Sequence, residues 1–121
     1  MAKMTKVAVA DLIGGPLVWA TANTPAPSGM SAWQFTVNDE YHKAGYRTCT
    51  TLGLIMQNNI ALAPEDPFSP SSEWSAVCLN DNGERCRYLA HEVPVAVRRA
   101  FVGATHGTHI EIPTEVMEHY Q

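Results

Sequence analysis

No stretch of the chain offers the run of about eighteen uninterrupted apolar residues that a membrane helix requires. The most apolar stretch near the start is broken by Thr5, Lys6, Asp11 and Gly14. A secretory leader is not expected either: the apolar residues after Lys3 and Lys6 contain Asp11 and end in Gly14-Gly15-Pro16 without a small-x-small cleavage pattern. Both absences point to the cytoplasm and away from membrane partners. Charge is scarce, at 17% of residues against roughly one quarter in ordinary soluble domains, so solubility is expected to lean on association, with a homodimer as one form. Eight basic and twelve acidic residues give a net charge of −4, which excludes neutralisation of phosphates as the main task of the whole surface. The three cysteines, Cys49, Cys78 and Cys86, are too few and too irregular for a disulfide framework or a structural zinc site, and are expected reduced and partly buried. No glycine-rich turn precedes a lysine at phosphate-loop spacing, and Ser69, Ser71 and Ser72 lack the glycine-flanked elbow that exposes a catalytic hydroxyl. Neither a cofactor nor catalysis is expected.

What is present is the patterning of one α+β domain spanning 1–121, mainly antiparallel sheet with two principal helices. Lys6 to Ala10 alternates as a short strand. Pro16 suits the first turn of a helix, where its missing N–H costs nothing, and a helix over about 15–23 follows. Pro25, Pro27 and Gly29 then force a loop. Trp33 to Val37 alternates large apolar with polar residues, the period of a strand, and the segment Tyr41 to Thr51 is polar and irregular. Leu52 to Met56 and Ile60 to Ala63 are two short apolar runs about Gln57-Asn58-Asn59, the pattern of a hairpin, and Pro64 to Ser72, with three prolines, is a loop.

The strands Trp74 to Leu79 and Glu84 to Leu89 flank Asn80-Asp81-Asn82-Gly83, residues that tolerate the positive φ of a tight turn. A turn at Asp81-Asn82-Gly83 sets Cys78 opposite Cys86, either as a redox pair or, as a reducing compartment favours, as two small hydrophobes packed on a sheet. Pro94 opens a second helix over about 94–105, with Val97, Ala100, Phe101 and Ala104 as its buried stripe and Gly107 as its stop. His109 to Ile112 resumes alternation, Pro113 ends it, and 114–121 forms a short helical or frayed tail.

Candidate chemistry is sparse. Arg85, Arg87, Arg98 and Arg99 are half of the eight basic residues; with Tyr46 or Tyr88 beside them they would make a patch for single-stranded nucleic acid, through charge and stacking. Paired with Glu73, Glu84 and Glu92 they would instead be a solvated surface. His106 and His109, with Glu111, Glu115, Glu118 and His119 downstream, are candidates for a metal-dependent site, provided that Gly107 does not turn the two imidazoles apart. His91 and Glu92, with Arg85 or Arg87, would form a small acid-base cluster lacking a nucleophile. Trp19, Trp33 and Trp74 lie on apolar faces suited to core or interface packing.

A further set of residues follows a recurring pattern: Leu12, Gly14, Leu17, Trp19 and Ala20; then Gly53, Leu54, Ile55 and Ile60; then Trp74 and Ala76; then Pro94, Arg99, Phe101 and Val102; and finally Gly107, Ile110, Ile112 and Pro113. In this it resembles the NinX-like proteins of lambda-type bacteriophages. The resemblance covers most of the chain and implies a phage or prophage accessory protein that works by binding a host or phage protein, a family without an established activity. Two departures stand out. Val93 occupies the place of a helix-capping threonine, and Tyr41-His42-Lys43-Ala44 replaces a tyrosine-serine-proline-serine loop, whose letters reappear later as Phe68-Ser69-Pro70-Ser71-Ser72.

Overall fold

The computed structural model describes residues 3–24 and 51–119. The strand expected at Trp33 to Val37, Tyr46 and Cys49 lie outside the described residues.

The first described strand, β1 (Met4–Ala8), leads into a 3-10 turn at Val9–Asp11 and then α1 (Gly14–Ala22), close to the expected 15–23. β1 starts and stops earlier than its alternation suggests, because Val9 leaves the strand: its N–H bonds to the Thr108 carbonyl at 2.9 Å and its side chain is fully buried. The segment read as a hairpin is instead a helix, α2 (Thr51–Asn58), followed by strand β2 (Ala61–Pro64). What looks like a hairpin turn is a helix terminus. Asn59 takes the left-handed conformation at φ 52°, and Ile60 N–H reaches back to the Ile55 carbonyl at 3.1 Å, the six-to-one bond that closes a helix. Leu54 packs in the core, whereas Leu52 and Met56 remain 65% and 71% exposed, so the run follows a helical period and not a strand's.

β3 (Trp74–Leu79) and β4 (Arg85–Ala90) form the expected hairpin, and β2 joins β3 on the other side, giving a three-stranded antiparallel sheet in the order β2-β3-β4. Pro64 is tolerated because β2 is an edge strand. Helix α3 (Val93–His106), near the expected 94–105, ends at Gly107 with φ 83°. β5 (His109–Pro113) pairs with β1 in a second antiparallel sheet, and the tail folds as helix α4 (Thr114–His119).

α3 is the hub. Its Ala96, Val97, Ala100, Phe101, Val102 and Gly103 are buried, and it packs on β3 and β4 while touching α1, α2, β5 and the 3-10 turn. One core cluster therefore draws on Leu12 and Leu17, Leu54 and Ile60, Ala76 and Cys78, and Ile110 and Ile112. The result is a single small α+β domain with antiparallel sheets. Among the described residues no helix is long and apolar enough to cross a membrane.

Candidate functional site

The four clustered arginines are not brought together. Along β4 alternate side chains face opposite sides. Cys86, Tyr88 and Ala90 turn toward α3, with the Tyr88 ring set against Gly103, and Arg85 and Arg87 turn away from it. On that outer face Arg87 is ion-paired with Glu65 and donates through Nε to Ser75 Oγ at 3.1 Å. Arg98 and Arg99 ride on the helix that covers the other face. Arg99 donates from Nε to the Leu12 carbonyl and from Nη1 to the Leu89 carbonyl, both at 2.8 Å, and so braces the start of α1 and the end of β4 against α3. Partial burial pulls its guanidinium below the ordinary arginine value, opposed by nearby Asp11 and Glu73.

The acid-base cluster is assembled from different members than its sequence neighbours. His91 and Glu92 share a pocket of about 310 Å³ with Glu73 and Arg99, not with Arg85 or Arg87. Its apolar wall is Ile13, Ala90 and Val95, and among the described residues no hydroxyl or thiol lines it.

His106 and His109 do line one pocket, of about 370 Å³, beside Trp19, Asn23 and Glu111. Thr24 Oγ1 donates to the Ala20 carbonyl at 2.6 Å and stands 3.1 Å from His106 Nε2, so Nε2 carries a proton and donates to it. Desolvation at that contact holds His106 below the ordinary histidine range. His109 Nδ1 is engaged by Thr108 Oγ1 at 2.9 Å. Among the described residues no three histidine, cysteine or carboxylate side chains converge on a point that could hold a metal ion.

The loop between β2 and β3 is rich in prolines and serines, and nothing in its composition alone marks a site. Its ends are joined by Glu65 N–H to the Glu73 carbonyl at 2.9 Å, and Asp66 N–H donates to Ser72 Oγ at 2.8 Å. Inside it, Phe68 N–H donates to Asp66 Oδ1 at 3.0 Å, Ser69 N–H to the Asp66 carbonyl at 3.1 Å, and Ser72 N–H to the Ser69 carbonyl at 3.2 Å. A loop fixed by so many short-range bonds nevertheless leaves Phe68 93% exposed. Phe68 rims a shallow pocket of about 360 Å³ with Trp74, Pro64, Pro67 and Pro70. The backbone that carries the ring is constrained, while the ring itself stays in solvent. The only hint in the sequence was the run Phe68-Ser69-Pro70-Ser71-Ser72. The chain matches no protein-family model, no curated protein and no solved structure.

Proposed function

We propose that this is an accessory protein of phage or prophage origin that acts in the host cytoplasm by binding a host or phage protein, and not by catalysis. Phe68 carries the reading. Burying a phenylalanine side chain against a partner is worth about 1.5–3 kcal/mol, and the hydrogen bonds from Asp66, Ser69 and Ser72 have already restricted the loop that presents it. Less ordering entropy is then lost on association. The phage origin is supported by the residue pattern alone, and most of that pattern is structural: Leu12, Leu17, Ala20, Leu54, Ile60, Ala76, Phe101, Val102, Ile110 and Ile112 are all buried. Residues that specify a scaffold carry an ancestry, not an activity.

Affinity purification from phage-infected cells, with the wild type beside Phe68→Ser, tests the proposal. The variant should keep the wild-type unfolding midpoint, because the ring has few contacts to lose, while recovery of the co-purifying protein falls at least about tenfold, the effect of removing an anchor worth roughly 1.4 kcal/mol. Equal recovery with both proteins would remove Phe68 as the anchor. Turnover in a hydrolase or transferase screen, abolished by a change at a pocket residue such as Glu73 or His106, would remove the non-catalytic reading.

A further inference from the structure

Cys78 and Cys86 stand directly opposite each other in the β3–β4 ladder, and both are free thiols. Opposed residues of antiparallel strands project to the same face; here it is the face under α3, where Cys78 is fully buried and Cys86 partly so. The turn defines the rung they occupy. Asn80 N–H donates to the Glu84 carbonyl at 2.9 Å, which makes that pair a hydrogen-bonded rung, and rungs alternate in kind, so the cysteines two residues further on sit on a hydrogen-bonded rung again. There the Cα atoms are about 5.5 Å apart, within the span of about 4.4–6.8 Å that a disulfide bridges. The sulfurs have only weak contacts, at 3.8 Å to the Leu79 carbonyl and 3.9 Å to the Glu84 carbonyl.

We propose that Cys78 and Cys86 are an oxidative modification site, joined as a cross-strand disulfide by exchange with a low-molecular-weight disulfide such as oxidised glutathione. Cys86, the more accessible, attacks one sulfur of the oxidant as its thiolate and expels one glutathione thiolate. Cys78 then attacks the Cys86 sulfur of the mixed disulfide and expels the second. The protein gives up two protons and two electrons, and the oxidant is recovered as two thiols. The second step is intramolecular between neighbours that the ladder already aligns, so it outruns attack by free thiol. Ionisation governs the pace. Burial pushes the Cys78 thiol up to about 11, and burial together with Glu84 raises Cys86, so the exchange is slow at neutral pH and accelerates as the solution becomes alkaline. Once formed, the bond ties β3 to β4 beside the turn and prevents that end of the hairpin from opening.

The test treats the full chain with oxidised glutathione at neutral and at alkaline pH, alkylates the remaining thiols and maps the linked peptides by mass. The expected product is a Cys78–Cys86 peptide pair, lighter by two hydrogens, in the wild type and in Cys49→Ala, formed several-fold faster at alkaline pH and reopened by reduced glutathione. Cys86→Ala should leave Cys78 open to alkylation after unfolding. Oxidation in urea should give a smaller share of this pair and more links to Cys49. Thiols that stay free, a product that stops at glutathionylated Cys86, a bond to Cys49 in the folded protein, or the same share of products with and without urea would each overturn the assignment.

Discussion

At the scale of single residues, the most consequential side chain is Arg99, whose guanidinium joins three parts of the fold. The carbonyls of Leu12 and Leu89 point at two different nitrogens of one rigid fork. A lysine ammonium at the end of a flexible stem does not reproduce that span. Arg99→Lys should therefore leave at least one partly buried carbonyl without its donor and lower stability by about 1–3 kcal/mol, measured as a shift of the urea midpoint at unchanged slope. His106 gives the fold a dependence on acidity. Its imidazole binds a proton less readily in the folded protein than in the unfolded chain, because desolvation beside Thr24 disfavours the charged form. Stability is then fully present above the unfolded value of about 6.5 and declines as pH falls through it, levelling off below the folded value, since the unfolded state binds the extra proton. His106→Gln retains a donor toward Thr24 and cannot titrate. The difference in unfolding midpoint between wild type and variant should shift against the wild type on acidification, and parallel curves would show that His106 has no part in it.

At the scale of elements, the closest fit is between β4 and α3. Gly103 lies where a Cβ would come within 2.7 Å of Tyr88 Cζ and Oη, so the helix approaches the sheet only because a side chain is missing there. Alanine would favour an isolated helix by roughly 1 kcal/mol, yet overpacking against a ring costs about 1–3 kcal/mol. Gly103→Ala should lower the thermal midpoint, and the loss should vanish in a Tyr88→Leu background. A stabilised Gly103→Ala protein would mean that the Tyr88 ring swings aside at little cost. The elements differ in how far they were legible, for reasons that can be traced. The β3–β4 hairpin was readable because its signal is local: Asn80 Oδ1 accepts from the amides of Asn82 and Glu84, and Gly83 supplies the positive φ. α3 was readable from the spacing of Val97, Ala100 and Phe101. α2 was not, because an apolar run as short as Leu52 to Met56 fits either period, and the choice is made by Asn59 entering the left-handed region and by Leu54 packing in the core. The arginine patch does not follow from nearness in sequence, because Arg85 and Arg87 share the face of β4 turned away from α3 while Arg98 and Arg99 ride on that helix. The Phe68 loop is legible as a loop, but the bond from Asp66 N–H to Ser72 Oγ that closes it is a contact that composition does not encode. α3 also begins without the side-chain cap that the resemblance places there: its first flanking residue, Glu92, makes no such bond.

At the scale of the whole molecule, the two ends of the described chain are stitched together. β1 pairs with β5 from Met4 opposite Pro113 to Ala8 opposite His109. Three bonds extend the seam: Val9 N–H to the Thr108 carbonyl at 2.9 Å, Thr114 N–H to the Lys3 carbonyl at 2.9 Å, and a 2.7 Å contact between the Thr5 and Thr114 hydroxyls. A two-stranded ribbon is marginal by itself, so the seam has to draw its stability from the core beneath it. Ile110 and Ile112 supply that link, since both point inward from β5 into the cluster that holds Leu17 and Phe101. Ile112→Ala removes a fully buried side chain and should cost about 2–5 kcal/mol. The pattern of amide exchange decides how that loss is distributed. If the seam and the hub helix form one cooperative unit, the slowest amides of β1, β5 and α3 lose protection by the same factor in the variant. If instead β1 and β5 open as a local unit, their amides accelerate while those of Phe101 and Val102 keep their wild-type rates. The shared core favours the first outcome: the residues that hold β5 in place are the ones that hold α3, and removing one of them weakens a contact that both elements need.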